Sequence, residues 1–244
     1  MMKHLKGVNR NQIKKIDHPY LILCEGRDEK LFLIYYLEYL IENNIISDDL
    51  FCVYDCGGNE AMRKNISKIQ QLDGYNNVKG LYIIRDAESD VNAAIDSVKH
   101  IIRNILQGSP VNPGTITFES EGRKVIYSLL PGPDENGAWQ NGTLEDLCWL
   151  ITGKLPSGET YTEDSEMIGS IKELVYSHHK SVTTIRGIDF KRVHKNLLHL
   201  LLASTDTFVG LKPGEAAKAG AFDFSHHNLN FIRNALLALL KENK

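Results

Sequence analysis

The residues best placed to do chemistry are carboxylates that follow short apolar runs. Glu25 comes directly after Tyr20-Leu-Ile-Leu-Cys24, Asp55 closes Phe51-Cys-Val-Tyr54, and Asp86 and Glu88 follow the run 78–84. Asp90 stands two residues further on, while Asp28 and Glu29 lie three and four residues beyond Glu25. One acid at the end of an apolar run is common. Several that converge repel one another and must be neutralised, protonated or bridged by cations. An all-oxygen ligand set suits a hard ion such as Mg2+ or Mn2+, completed by water and substrate phosphate. Such a cluster serves phosphoryl transfer or phosphodiester cleavage, where the ion stabilises charge on the attacking and leaving oxygens. Each acid also has an ordinary structural reading. Glu25, Asp28 and Glu29 can be acids at a helix start, favoured by the helix dipole. Asp55 can close the turn into Gly57-Gly58, Asp86 can form an Asx turn, and Asp90 can cap a helix.

These acids meet only if the runs before them are neighbouring strands. Short apolar runs at 20–24, 51–54, 78–84 and 125–130 read as buried strands, each ended by a polar or Gly/Pro signal. Between the first three lie helical patterns over 28–43 and 59–72, the second with Met62, Ile66 and Ile69 on one face. A third pattern, between 91 and 105, carries Val91, Ile95, Val98, Ile101, Ile102 and Ile105 on one stripe. Strands alternating with helices imply parallel βαβ units with right-handed crossovers. In such sheets ligands bind beyond the carboxyl ends of the strands, where the acids stand. The expected fold is α/β: a parallel four-stranded sheet flanked by helices over 19–133, after a basic segment 1–18.

Beyond Pro133 the pattern changes. A Gly/Asn-rich loop over 134–143 leads to a short helix at 144–151, and 153–165 reads as a polar, acidic surface loop. Helices are predicted at 168–178, 190–202 and 227–240, with stripes of Phe190, Val193, Leu197, Leu200 and Leu201, then Leu229, Ile232, Leu236, Leu239 and Leu240. No strand is predicted there. Residues 134–244 are expected to form a loop and a helical region packed on the α/β core.

Two segments resemble the signature motifs of the Toprim domain: Leu21-Ile-Leu-Cys-Glu25-Gly26-Arg-Asp28-Glu29, and Ile83-Ile-Arg-Asp86-Ala-Glu88-Ser-Asp90. The first motif of that family is an apolar strand ending in Glu-Gly, and the second is one ending in Asp-x-Asp. The resemblance covers about residues 19 to 132. It implies a Toprim-like fold in which Glu25, Asp86 and Glu88 bind Mg2+ or Mn2+ and carry out phosphodiester chemistry. The second acid of the Asp-x-Asp element is Glu88, one methylene longer than usual, which leaves Asp90 as a candidate to share its role. Gly57-Gly58, Leu130-Pro-Gly-Pro-Asp134, Gly142-Thr-Leu-Glu145-Asp146 and Lys212-Pro-Gly-Glu-Ala-Ala extend the resemblance to a family of small standalone Toprim proteins without an established activity. The Thr-Leu-Glu element is also similar to one in OLD-family nucleases, which implies Glu145 as a further metal ligand.

Composition narrows the partners. The 244 residues carry 28 Lys+Arg against 31 Asp+Glu, a net charge of −3, which argues against a chain held on nucleic acid by global charge. Charge is nevertheless unevenly placed. Residues 170–199 hold six basic residues against two acidic ones, and residues 1–18 hold five against one. A basic flank beside an acidic crevice fits a phosphate backbone, with Lys191, Arg192 and Lys195 as candidate contacts; a solvated helix face is the plainer alternative. Gly57 and Gly58 allow close backbone approach to a phosphate, and Lys212, with Lys218, is a candidate to stabilise a phosphoryl transition state. Cys24, Cys52, Cys56 and Cys148 form no CxxC pair, so reduced thiols are expected and a zinc site is not. The four histidines at 178, 179, 194 and 199 read as surface residues. The longest apolar stretch, 31–41, falls short of the ~20 residues a membrane span needs. A cytoplasmic protein with no membrane partner is expected. The function expected is Mg2+-dependent cleavage of DNA or RNA, with a non-catalytic module that binds nucleic acid or nucleotide as the alternative.

Overall fold

The computed structural model describes residues 15–112, 116–153, 155–157, 160–162, 165–187 and 193–241. Four parallel strands form its centre: β1 (Tyr20–Cys24), β2 (Phe51–Asp55), β3 (Gly80–Asp86) and β6 (Arg123–Leu130). β1 pairs with β2 on one side and β3 on the other, with Cys24 opposite Asp55 and Ile84, and β3 pairs with β6, with Asp86 opposite Leu130. Two short strands, β4 (Ser109–Pro110) and β5 (Thr117–Ser120), extend the β6 edge antiparallel, giving the order β2-β1-β3-β6-β5-β4.

The mixed α/β fold agrees with expectation, but the sheet has six strands rather than four. The extra pair is short and its burial alternates, with Phe118 and Ser120 inward and Glu119 outward. A two-residue turn at Glu121 and Gly122, both with positive φ (50° and 76°), joins β5 to β6, the geometry that favours a right-twisted hairpin. A second correction falls in the segment expected to be a loop: β7 (Leu155–Ser157) and β8 (Thr160–Thr162) pair antiparallel. Three-residue strands lack the length at which alternation becomes a signal.

Alternation along the central strands builds two apolar layers. Ile22, Cys24, Tyr82, Ile84 and Ile126 face one way, and Leu21, Leu23, Leu81, Ile83 and Val125 the other. The second layer is covered by α2 (Asn59–Ile69) through Met62, Ile66 and Ile69, and by α3 (Val91–Asn104) through Val98, Ile101 and Ile102. The first is covered by α1 (Arg27–Glu42) and by the last helix, α8 (Asn230–Leu240), through Ile232, Leu236 and Leu239. Lys124 on β6 donates to the carbonyls of Ala238 and Lys241 and so satisfies the C-terminal end of α8. A 3-10 turn at His227–Leu229 precedes α8 where a helix start is predicted.

Between these lie α4 (Leu144–Leu150), α5 (Ser165–Arg186), α6 (Val193–Ala203) and α7 (Pro213–Lys218), the last not predicted. α7 rests on α1 so closely that a Cβ on Gly214 would stand 2.7 Å from Leu31 and 2.9 Å from the Asp28 carbonyl. The buried face of α6 is Leu197, Leu198, Leu201 and Leu202, whereas Val193 is exposed and Leu200 half-buried, so the face is turned by about one residue from the predicted stripe. Phe190 lies outside the described residues. Leu144, Leu147, Leu198, Ala216 and Leu236 belong to the same apolar cluster as Ile22 and Phe32.

Candidate functional site

The order of strands reverses at β1, whose parallel neighbours β2 and β3 lie on opposite sides and are both entered by crossovers, and this is where open α/β sheets bind ligands. The two loops at its carboxyl end are stitched together: Cys56 N–H donates to the Cys24 carbonyl at 2.9 Å, and Gly58 N–H to the Glu25 carbonyl at 2.7 Å. Gly58, with φ of 100°, then opens α2, and Gly57 N–H is taken by the Asp55 carboxylate at 2.9 Å. Asp55 therefore acts in its turn. The Glu25 side chain is 16% exposed, and Arg85 Nε, itself almost fully buried, stands 3.9 Å from Oε2. That oxygen is buried and accepts no hydrogen bond from the described residues. Burial raises the Glu25 pKa; Arg85 opposes this, the charge of Glu88 adds to it, and backbone groups of Asp86 and Asn59 oppose it.

Asp86 ends β3 at 9% exposure, and its Oδ1 accepts from the backbone N–H of Leu144 at 2.9 Å. Its pKa lies well above the usual carboxylate range, first from burial and then from the charges of Glu29, Glu25 and Glu145. Glu29 is pushed up to about 7 by burial, with Glu25, Asp28 and Glu145 adding to it. Its carboxylate folds back over Gly26, where a Cβ would meet Oε2 at 2.8 Å. The acids Glu25 and Asp86 thus converge, and Glu29, whose plainer reading is a helix-start acid, joins them.

Glu88 has a left-handed backbone, φ 56°, and its N–H and carbonyl form a paired bridge with Gly142, both bonds at 2.8 Å. Asn141 beside it accepts from Val91 N–H at 2.8 Å, so the loop after β6 is tied to the loop after β3 and to the start of α3. Asp90 is exposed and caps α3, its Oδ1 accepting from Ala93 N–H at 3.0 Å.

Those ties deliver α4, whose first turn supplies four contacts in sequence. Thr143 and Asp146 form a capping box, Leu144 N–H holds Asp86, Glu145 is ion-paired with Lys195, and Asp146 with Nδ1 of His194. Burial pushes the Glu145 carboxyl up, but the hydrogen bond and charge of Lys195 outweigh it and hold the group below its ordinary value. Asp146 is likewise lowered, with burial overcome by His194 and Thr143. Glu88, Asn141, Asp146, His194 and Lys195 line one open cavity of about 450 Å3.

Lys195 therefore stands in the crevice, engaged with an acid. Lys212 is exposed at the start of α7, where its N–H is capped by Glu215 at 3.3 Å. Lys191 and Arg192 lie outside the described residues, as does most of the basic segment 1–18. Burial pushes the Cys56 thiol up to about 12 and raises Cys24 and Cys148 as well, which leaves these three without thiolate character near neutrality. Among the described residues no three His, Cys, Asp or Glu side chains are already arranged to hold a metal ion. No helix among them is long and apolar enough to cross a membrane.

Arg85, Asp146 and His194 are not among the site residues predicted from the sequence. Arg85 interrupts an apolar strand between Ile84 and Asp86, and a buried arginine in such a place implies a carboxylate partner, which was the available clue. Compared with known proteins, residues 19–241 match a family described as "Protein of unknown function (DUF3226)". No curated protein and no solved structure matches the chain.

Proposed function

The chain belongs to the DUF3226 family, and we propose that it is a Toprim-type phosphodiesterase that uses Mg2+ or Mn2+ to cleave DNA or RNA. One observation carries this reading: Asp86 is buried at the end of β3, Glu25 stands half-buried just past the end of the adjacent β1, and the charges of Glu25, Glu29 and Glu145 all raise the Asp86 pKa. Evolution rarely leaves such a concentration of buried carboxylates without a cation or proton to relieve it, and perturbed groups of this kind gather at functional sites. The donors are all oxygens, and the buried Oε2 of Glu25 has no hydrogen-bond partner among the described residues, so a hard divalent cation fits the chemistry of the set.

Glu25, Asp86 and Glu88 would hold the cation, with Glu145 joining once the ammonium of Lys195 is displaced from it. Such an ion supplies charge neutralisation at the phosphate and activation of water. Asp90 keeps one oxygen on the α3 cap and is the weaker candidate. Arg85 orients Glu25 from behind, and the N–H of Leu144 orients Asp86. Gly58 leaves open space for a phosphate, since a Cβ there would touch nothing within 4 Å among the described residues. Lys195, once released, is a cation for the phosphate backbone.

Purified protein with Mn2+ or Mg2+ is expected to cleave single-stranded, duplex or structured nucleic acid, and chelation or Asp86→Ala is expected to lower the rate by about 10³-fold or more. Cleavage that survives Asp86→Ala would belong to a contaminant and end the proposal. A second reading is favoured by the pairing of Glu145 with Lys195 and by the absence of a ready three-acid set among the described residues. In it the crevice binds nucleic acid or nucleotide without turnover, and tight binding with no cleavage on any substrate is its signature.

A further inference from the structure

We propose that His194 donates the proton to the leaving oxygen in the cleavage described above, and that Asp146 positions it for that role. The inference rests on the phosphodiesterase reading and concerns residues that neither the strand-end motifs nor the Thr-Leu-Glu element includes.

Both oxygens of Asp146 are committed. Oδ2 accepts from the backbone N–H of Thr143 at 2.7 Å and from its hydroxyl at 2.9 Å, while Oδ1 meets Nδ1 of His194. The carboxylate cannot swing, because the capping box that holds it also starts α4. With Nδ1 engaged, Nε2 is the ring nitrogen left to carry a transferable proton. Half of the His194 side chain is exposed, and the residue lines the same cavity of about 450 Å3 as Glu88 and Lys195. An imidazole backed by a carboxylate thus shares a wall with one of the proposed cation ligands. A bridge between helices is the structural alternative. The α4–α6 contact, however, already has the Lys195–Glu145 pair and a buried leucine face at Leu197, Leu198 and Leu201.

Among the described residues, Asp146 from α4 meets the ring, and Glu88 from the loop after β3 and the neighbouring Lys195 line the same cavity. The hydrogen bond to Asp146 raises the imidazole above its ordinary value and its charge adds to this, against an opposing effect of burial. The pairing with Asp146 therefore favours the protonated ring. In the step, a water oxygen bonds to phosphorus as the bond from phosphorus to the leaving nucleotide oxygen breaks. The Nε2 proton passes to that oxygen, which departs as a hydroxyl. The surplus proton of the water goes to solvent, and solvent reprotonates the ring.

The test compares two substrates in Mn2+ with the full chain. An oligonucleotide has an alkoxide leaving group that needs a proton; bis(p-nitrophenyl) phosphate has one that leaves as an anion. His194→Gln is expected to slow oligonucleotide cleavage by about 10²–10⁴-fold and to keep the aryl ester rate within about threefold. Asp146→Asn is expected to give a smaller loss with the same selectivity. Retained aryl ester cleavage also shows that the variant is folded. An equal loss on both substrates, or no loss on the oligonucleotide, overturns the role of His194 while the phosphodiesterase reading stands. A wild-type protein that cleaves neither substrate overturns both.

Discussion

Burial keeps Glu29 protonated up to about pH 7, whereas in the unfolded chain it ionises near 4.5. The folded state therefore binds this proton more tightly than the unfolded one. The stabilisation it brings is complete below about 4.5 and is lost as pH rises to about 7. A shift of that size corresponds to about 3 kcal/mol at most, as an order of magnitude. Glu29→Gln, which keeps the shape without the charge, should be more stable than wild type at pH 8 and close to it near pH 4.5. Urea midpoints at the two pH values measure this; equal midpoint differences at both would count against a crowded acid cluster. Glu25, Asp86 and Glu88 were legible as strand-end acids because an apolar run followed by a carboxylate is a local signal. Arg85, Asp146 and His194 were not, because their meaning lies in partners. Glu145 and Lys195 are 50 residues apart and Asp146 and His194 are 48 apart, beyond any helical or strand period.

At the scale of elements, the loop from Gly142 into α4 decides where three acids point. Gly142 bridges Glu88, and Leu144, Glu145 and Asp146 follow at once. At its φ of 141° a side chain is strained, and a Cβ would also stand 2.8 Å from Pro131 Cδ and 2.9 Å from Asp146 Oδ2. Gly142→Ala should cost about 1–3 kcal/mol of stability and displace the capping box. Its effect on nucleic-acid cleavage should exceed that of an equally destabilising change on the far face of α3, which separates a site effect from a folding one. Thermal unfolding and cleavage rates on the same samples make the comparison. The helices and central strands were readable from period and length, whereas β4, β5, β7 and β8 were too short for a periodic signal. The small turn of the α6 face reflects a helix wedged against α4 and α5, where tertiary contacts outweigh an approximate stripe.

Across the whole molecule, one apolar layer joins β1 and β3 to helices more than a hundred residues later in the chain. Ile232, Leu236 and Leu239 of α8 and Ala216 of α7 are buried in the cluster that holds Ile22, Phe32 and Leu37. A fragment of residues 19–133 would expose that layer, although its sequence reads as a complete α/β unit. It is expected to remain unfolded or to aggregate, lacking the sharp cooperative transition of the full chain in circular dichroism. A fragment that melts cooperatively would show that the C-terminal helices are accessory. Even Leu236→Ala in the intact chain should cost about 2–5 kcal/mol, because the cavity left between α8 and the sheet cannot easily collapse.

By itself the amino-acid sequence determined the alternation of strands and helices, the parallel centre of the sheet, and the acids at its carboxyl end. All of these follow from short-range patterns of apolar and polar residues, which physics reads locally. Only the tertiary structure decided which cations face those acids, that Glu29 joins them, and that Asp146 holds His194 beside Glu88. These pairings depend on how the C-terminal helices settle on the sheet, and that outcome is a property of packing among distant segments rather than of any one of them.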